Sequence, residues 1–216
     1  MTDHESFVRA YTGIDHPPAC PELSLYLASE ITPLWLATEE TLKAVNLPPP
    51  FWAFCWVGGQ AVARHILDHP ELVRGKRVLD FAAGGGVAAI AAAKAGAAVV
   101  EAADIDPFAA AAIRLNADLN DARVAVLCAD LVDGPRADWD VVVAGDVCYE
   151  RPMAERVFAW LRRLAAGGAL VLMGDPGRNY LPNGGLVRLA SYAVPTSREL
   201  EDRDVREAVI YRVAAA

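Results

Sequence analysis

Basic residues are scarce in this sequence. Its 20 lysines and arginines are outnumbered by 28 aspartates and glutamates, which gives a formal net charge of −8 at pH 7. A surface with this excess of negative charge repels phosphate backbones. The composition therefore argues against a nucleic-acid substrate and favours a basic partner.

The sequence also lacks a hydrophobic run long enough to cross a membrane, although its mean hydropathy is +0.23. The longest apolar stretch, residues 87–100, consists mostly of alanine and is interrupted by Lys94 and Gly96. A transmembrane helix needs about 20 predominantly apolar residues. Residues 1–10 have no apolar core of the kind found in a secretory signal. We therefore expect a cytoplasmic protein that does not bind a membrane.

Cysteine is rare, and its four positions do not have the spacing of a metal site. There is no C-x-x-C pair and no neighbouring histidine pattern suited to zinc among Cys20, Cys55, Cys128 and Cys148. We expect reduced, mostly buried thiols in a reducing compartment, and no bound metal. The four histidines show no catalytic spacing either.

Three successive prolines, residues 48–50, divide the sequence. Before them, residues 1–47 contain leucines and other apolar residues at amphipathic spacing, which predicts a helical extension over residues 1–48. Proline stops a helix. We expect the main domain to occupy residues 49–216.

In that domain, short apolar runs alternate with helical stretches. Strands are predicted at residues 77–81, 97–103, 124–128, 139–144 and 169–173, and helices at 87–95, 107–120 and 153–164. This alternation predicts an α/β fold with a doubly wound, mostly parallel sheet. The tail, with apolar runs at 186–193 and 207–213, predicts an antiparallel edge.

A glycine-rich loop follows the first predicted strand, which ends at Asp80 and continues into Phe-Ala-Ala-Gly-Gly-Gly at residues 81–86. Ligands of open α/β sheets bind at the carboxyl ends of the strands. Glycines let the backbone approach a ligand, and the next helix begins with free N–H groups. The loop predicts a ligand site, with a tight turn that binds nothing as the alternative.

The residues of this loop favour S-adenosylmethionine over a dinucleotide. A dinucleotide loop has the pattern G-x-G-x-x-G, but the matching positions here are Ala82, Gly84 and Val87. Asp80 would repel a pyrophosphate, whereas it attracts the ammonium and sulfonium groups of S-adenosylmethionine. A nicotinamide-dependent oxidoreductase is therefore the weaker alternative.

Acidic residues also follow the next two strands. Asp104 ends the second strand, where it is placed to accept hydrogen bonds from ribose hydroxyls, while Asp106 fits a helix N-cap better. Asp130 follows the third strand and is placed to accept from an adenine amino group, or else is a turn residue. Together with Asp80, these acids favour the methyl donor.

Three motifs resemble known methyltransferases. Residues 78–86, Val-Leu-Asp-Phe-Ala-Ala-Gly-Gly-Gly, resemble the acidic-glycine motif of class I S-adenosylmethionine-dependent methyltransferases, with Ala82 in place of the usual first glycine. Residues 51–60 and the Gly-Asp-Val-Cys-Tyr-Glu segment at 145–150 resemble the D-x-x-Y group of protein lysine methyltransferases. Residues 174–182, Gly-Asp-Pro-Gly-Arg-Asn-Tyr-Leu-Pro, are similar to the branch that methylates the electron transfer flavoprotein β-subunit.

The resemblance, which extends from about residue 21 to residue 213, implies a Rossmann-like sheet of seven strands and a protein-lysine N-methyltransferase. We also expect the protein to be a monomer. Asp146 and Tyr149 would be catalytic, and Tyr149, Asp175 and Arg178 would bind the protein substrate. With the acids identified above, the expected cofactor-binding residues are Trp56, Gln60, Asp80, Ala82, Gly84, Gly86, Asp104, Ile105, Asp130 and Asp146.

Simpler roles are open for several of these residues. Asp146 could be a helix N-cap, Tyr149 and Trp56 could be packing residues, and residues 175–178 could form only a turn. A small-molecule N-methyltransferase is a further alternative. The Asn/Asp-Pro-Pro-aromatic motif of amide and base N-methylation is absent, since Asp-Val-Cys-Tyr occupies that place at residues 146–149.

Overall fold

The computed structural model describes residues 3–29, 49–134 and 138–215. Its helices are α1 (Asp3–Tyr11), α2 (Val57–Asp68), α3 (Val87–Lys94), α4 (Pro107–Leu119), α5 (Arg151–Ala166) and α6 (Arg198–Glu201). Its strands are β1 (Gly13–Asp15), β2 (Leu25–Leu27), β3 (Arg77–Phe81), β4 (Val99–Asp104), β5 (Ala125–Cys128), β6 (Val141–Gly145), β7 (Leu170–Asp175), β8 (Leu186–Pro195) and β9 (Val205–Val213).

Seven strands form one sheet in the order β5-β4-β3-β6-β7-β9-β8. The first five strands in this order are parallel, and β9 is antiparallel to both β7 and β8. The expected doubly wound sheet and its antiparallel edge are confirmed. The strand order reverses between β3 and β6, and ligands of such sheets bind beside that point.

Helices cover both faces of the sheet, so the central strands are mostly buried, and β6 is apolar along its length. Val78 packs in one core cluster with Ile90 of α3, whereas the next residue, Leu79, packs in a second cluster with Leu161 of α5. Successive side chains of a strand point to opposite faces, which explains this alternation. The two clusters hold the carboxyl ends of β3 and β6 in a rigid frame.

The expectation of a helical segment before residue 48 is only partly correct. Helix α1 is present, but β1 and β2 pair as antiparallel strands with Ile14 opposite Tyr26. Prolines at positions 17, 18 and 21 prevent a continuous helix, and the Tyr26 N–H donates to Asn116 Oδ1 of α4 at 2.7 Å. Tertiary contact with α4 therefore decides the conformation of β2.

The apolar residues at positions 31 and 34–36, which supported the same helical prediction, lie outside the described residues. The division of the chain at residue 48 stays a prediction. None of the helices in residues 3–29, 49–134 and 138–215 has the length and apolar character needed to cross a membrane.

Candidate functional site

A cleft opens at the carboxyl ends of β3 and β6, beside the first turns of α2 and α3. Its lining includes Trp56, Gly59, Asp80, the loop at residues 82–85, and Asp146. A wider groove of about 790 Å³ lies near the opposite ends of β4 and β5. We place the functional site in the smaller cleft, because ligands of this fold bind where the parallel strands end.

Asp104 holds the glycine-rich loop in place. Its Oδ2 accepts the N–H of Gly84 at 2.9 Å, and its Oδ1 accepts the N–H of Asp106 at 3.0 Å. Ala82, which replaces the usual glycine, has a φ of 54°, a conformation that costs a non-glycine residue about 1 kcal/mol. The backbone at Ala82 therefore has a conformation typical of glycine, and the Asp104 carboxylate contacts the same loop at Gly84.

The backbone conformation and the packing at the end of the loop both favour glycine. Gly86 has a φ of 80°, and a Cβ atom there would lie 3.1 Å from Cγ2 of Ile113. The residue at this position must therefore be small for α3 to begin beside α4. Gly86 shapes the loop, and its expected contact with the cofactor stays a prediction.

Asp80 is a buried carboxyl beneath the loop. Its Oδ2 accepts the N–H of Ala89, in the first turn of α3, at 2.9 Å. Burial raises the pKa of Asp80 to about 7, and the hydrogen bond from Ala89 only partly offsets this effect. Asp80 therefore changes its charge near neutral pH, in a cleft where that charge would face a ligand.

Asp146 joins three parts of the site. Its Oδ2 accepts the N–H groups of Gly58 and Gly59 at 2.6 and 3.1 Å. Its Oδ1 accepts from Arg178, with Nε at 2.9 Å and Nη2 at 2.6 Å. Burial raises the pKa of Asp146 to about 6, against the opposing effect of Arg178. Asp146 thus caps a helix, but the helix is α2 and not the one that follows it in sequence.

Glycines let α2 approach the sheet closely enough for these bonds. A Cβ atom on Gly58 would lie 2.4 Å from the carbonyl oxygen of Gly174, and one on Gly145 would lie 2.5 Å from the N of Gly59. Contacts under 3.0 Å do not occur for real Cβ atoms. The start of α2 is therefore locked against the ends of β6 and β7 by backbone contact.

Aromatic side chains stand together at the mouth of the cleft. Trp56 Nε1 donates to the carbonyl oxygen of Phe51 at 2.9 Å, and the ring centroids of Phe51 and Tyr149 are 5.8 Å apart. Phe51 and Tyr149 are 50% and 48% exposed, so an incoming group can reach both side chains. Phe51 was not among the site residues predicted from the sequence, although the aromatic cluster at residues 51–56 was a signal for it.

The segment after β7 folds around Asp175. Its Oδ1 accepts the N–H groups of Gly177 and Arg178, both at 2.7 Å. Asp175 is fully buried, and its Oδ2 has no hydrogen-bond partner within the described part of the chain. A direct contact between Asp175 and a protein substrate would require this segment to move, so the structure favours the turn role.

Three of the expected cofactor residues are engaged elsewhere or project outward. The Gln60 side chain accepts from Ala19 N and donates to the Cys55 carbonyl oxygen, which ties it to neighbouring backbone. Asp130 is exposed and pairs with Arg156 at 2.8 Å. Ile105 is 74% exposed beside Asp104. Their roles toward a cofactor stay predictions. No cluster of three or more metal-ligating side chains occurs in the portion of the chain that the structure describes.

Comparison with known proteins places the chain among methyltransferases. The family model of ribosomal protein L11 methyltransferase (PrmA) matches residues 65–174. The electron transfer flavoprotein β-subunit lysine methyltransferase of Xenopus laevis is 36% identical over 212 residues, covering 95% of this chain and 85% of the relative. The Caenorhabditis elegans homolog is 34% identical over 186 residues, covering 79% and 75%.

Among solved structures, the magnesium protoporphyrin IX methyltransferase of Synechocystis PCC 6803, with bound S-adenosylhomocysteine, superposes with a TM-score of 0.52. It is 18% identical and the match covers 71% of this chain and 80% of that one. The sheet order, the loop after β3 and these similarities define a class I S-adenosylmethionine-dependent methyltransferase. Within that class, the chain belongs to the electron transfer flavoprotein β-subunit lysine methyltransferase family.

Proposed function

We propose that this protein transfers methyl groups from S-adenosylmethionine to a lysine side chain on the electron transfer flavoprotein β-subunit. The observation that carries the proposal is the exposed pair of Phe51 and Tyr149 rings next to Trp56. The Phe51 ring lies 6.2 Å from the Trp56 ring, and Trp56 lines the cleft together with the glycine loop and Asp146. The family relatives named for this activity support the choice of substrate.

The cleft has the chemistry that the donor needs. S-adenosylmethionine has two positive groups and no phosphate, and the cleft contains the carboxyl groups of Asp80 and Asp146. The Asp104 carboxylate lies beside them at Gly84. Opposite charges attract strongly where water is excluded. We propose that Asp80 faces the ammonium end and that Asp104 accepts from the ribose; the bound donor supplies an activated methyl group.

The protein's own task is then to align the acceptor amine and to exclude water. A lysine must attack as the neutral amine, and deprotonating it at pH 7 costs about 4–5 kcal/mol from its usual pKa. The faces of Phe51 and Tyr149 can attract the entering ammonium by cation–π interaction. The Tyr149 hydroxyl can then hold the neutral amine in line with the methyl group.

In this proposed mechanism, the role of Asp146 differs from the catalytic role that its position in the sequence suggests. Both of its carboxylate oxygens are already engaged, by Arg178 and by the N–H groups of Gly58 and Gly59. We propose that it contributes negative potential to the cleft and fixes the start of α2. Asp146 does not need to act as a free base, because the lysine can lose its proton to bulk solvent beside the exposed Phe51 and Tyr149 rings before the neutral amine enters the cleft.

Tyr149→Phe is expected to lower turnover by more than about tenfold while leaving affinity for S-adenosylhomocysteine unchanged, because only the hydroxyl that positions the amine is lost. Steady-state kinetics with the protein substrate and calorimetric titration measure the two effects. Tyr11→Phe is the matched control, since Tyr11 is partly exposed and stacks on Phe7 away from the cleft. Full turnover by Tyr149→Phe would show that Tyr149 is a packing residue and has no role in positioning the amine.

Donor binding is expected to tighten as pH rises. Below pH 7 the Asp80 carboxyl is mostly protonated and neutral, and above pH 7 it is ionised and attracts the donor ammonium. If only the ionised form binds well, affinity for S-adenosylhomocysteine rises about tenfold between pH 6 and pH 8. Asp80→Asn should weaken binding at pH 8 and flatten this dependence, whereas an equally steep profile in the variant would assign the titration to another group.

The substrate is tested with purified electron transfer flavoprotein, the protein and S-adenosylmethionine, followed by mass spectrometry of both flavoprotein subunits. We expect the β-subunit to gain one methyl group or several, and the rate to fall as salt rises, because the acidic enzyme attracts a basic surface. If a different protein or a small molecule is labelled and the β-subunit is unmodified, the proposed substrate is wrong, whereas the methyltransferase class is unaffected.

We further propose that the protein acts as a monomer in a reducing, cytoplasmic compartment and does not act on nucleic acid. The free state of all four cysteines and the net charge of −8 support this setting. Light scattering on the purified protein, alone and with the flavoprotein, tests the monomer directly.

A further inference from the structure

The connection between β8 and β9 carries a buried glutamate, Glu201, at the end of α6. Its side chain is 1% exposed and is paired with two arginines. Oε2 accepts from Nη1 of Arg178 at 3.0 Å and from Nη1 of Arg206 at 2.6 Å, and Oε1 accepts from Nη2 of Arg178 at 2.5 Å. A carboxylate buried to this extent persists only because both of its oxygens are paired.

Arg206 and Arg178 connect Glu201 to different elements of the protein. Arg206 lies on β9, five residues beyond Glu201, so its pair with Glu201 closes the β8–β9 connection. Its Nε also donates to the carbonyl oxygen of Pro176, in the loop after β7, at 3.4 Å. Arg178 comes from the loop after β7, 23 residues away from Glu201 in sequence. The pair with Arg178 therefore links the hairpin to the side of the sheet where the cleft lies.

On its other side, Arg178 contacts the site. The Nη2 that donates to Glu201 also donates to Asp146, and the guanidinium carbon lies 5.7 Å from the centroid of the Trp56 ring. Asp146 in turn accepts the N–H groups of Gly58 and Gly59, which begin α2. One guanidinium is thus shared by two buried carboxylates and lies near an aromatic ring of the cleft.

We infer that Glu201 is a positioning residue for methyl transfer: it holds the Arg178 guanidinium against Asp146 and so sets the start of α2 and the Trp56 ring within the cleft. The role rests on the proposed function of the same site. Arg178 is 16% exposed, so without Glu201 it has one buried anionic partner and a path toward water. When Glu201 is removed, the Arg178 side chain loses one of its two fixed partners and becomes less ordered, and its contact with Asp146 is loosened.

The experiment compares Glu201→Gln, which keeps the shape and removes the charge, with two matched controls. Glu207→Gln removes an exposed glutamate of β9 that pairs with Arg188 at 2.8 Å. Arg206→Gln removes the second partner of Glu201, together with the bond to the Pro176 carbonyl oxygen, and leaves the pair of Glu201 with Arg178. The protein is otherwise complete, and three quantities are measured: turnover on the flavoprotein, affinity for S-adenosylhomocysteine, and the indole N–H resonance of Trp56, assigned with Trp56→Phe.

We expect Glu201→Gln to lower kcat by about tenfold or more and to shift the Trp56 resonance, while both controls stay within about threefold of the parent and keep that resonance. Loss of turnover in Arg206→Gln to the same extent would show that the general packing of the β8–β9 connection, and not the pair of Glu201 with Arg178, controls turnover. An unshifted Trp56 resonance with full turnover in Glu201→Gln would overturn the inference.

Two further outcomes are informative. If Glu201→Gln does not fold, Glu201→Asp replaces it, because this variant keeps the charge and withdraws it by one methylene. Its kcat and its Trp56 resonance are then compared with those of the parent in the same way. If the parent protein fails to methylate the flavoprotein, the proposed function is wrong, and the Trp56 resonance with the donor-product titration still decides whether Glu201 positions the cleft.

Discussion

Gly58→Ala is expected to destabilise the protein by about 3 kcal/mol and to abolish donor binding, because a side chain at this position has no space. Its Cβ atom would lie 2.4 Å from the Gly174 carbonyl oxygen and 2.5 Å from Asp146 Oδ2. Backbone cannot yield to it as a flexible side chain would, so α2 must move away from the sheet. The bond from the Gly58 N–H to Asp146, now 2.6 Å, would then break. Denaturant unfolding and titration with S-adenosylhomocysteine measure both effects.

The neighbouring residue provides the control for this substitution. A Cβ atom on Gly59 would lie 3.5 Å from Cγ1 of Val87, which is an ordinary van der Waals contact. Gly59→Ala adds the same methyl group to the same helical turn and should leave stability within about 1 kcal/mol of the parent. Equal losses in Gly58→Ala and Gly59→Ala would mean that any methyl group in this turn disturbs the start of α2, so the contact of Gly58 with the ends of β6 and β7 would not explain the effect, because alanine has a higher helix propensity than glycine.

Asp104→Ala is expected to weaken binding of S-adenosylhomocysteine by about ten- to a hundredfold while the fold survives. The substitution removes the carboxylate that we propose for the ribose, and it also releases the N–H of Gly84, which Asp104 accepts at 2.9 Å. Loss of the proposed ribose contact, a hydrogen bond to a charged group, costs about 1.5–3 kcal/mol, which corresponds to this range of affinity. Isothermal titration gives the affinity, and circular dichroism with thermal unfolding checks the fold.

Asp106→Asn tests whether this effect is specific to Asp104. Asp106 caps α4 by accepting the Phe108 N–H at 2.8 Å, and asparagine is an equally good N-cap. This variant removes a negative charge two residues away and should bind S-adenosylhomocysteine with unchanged affinity. If Asp104→Ala binds as tightly as the parent, Asp104 only shapes the loop and the ribose contact is wrong.

The sequence alone was sufficient for the fold class because its strands carry strong local signals. The apolar run of β6 is buried on both faces, which produces a continuous hydrophobic segment, and the prolines and glycines mark the turns. The same periodicity failed at β2, where Leu25 and Leu27 fit either a helix or a strand. There the hydrogen bond from Tyr26 to Asn116 decides the conformation, and this contact joins residues 90 positions apart.

The features of the candidate site also fall into two groups, those that the sequence predicted and those that it did not. Asp80, Asp104 and the glycine loop were predictable because a carboxylate at the end of a parallel strand must lie at the ligand-binding edge of the sheet. The partners of Asp146 were not predictable: Gly58, Gly59 and Arg178 approach it from segments 88, 87 and 32 residues away.

The sequence by itself therefore determined the class of the protein and the edge of the sheet where its cleft lies, since both follow from local pattern along the chain. Only the tertiary structure decided that Asp146 is fully engaged, that Asp175 is buried, and that Glu201 is linked to the cleft through Arg178. These facts depend on side chains brought together from distant segments. Such contacts arise from the packing of the whole core, and no local periodicity encodes them.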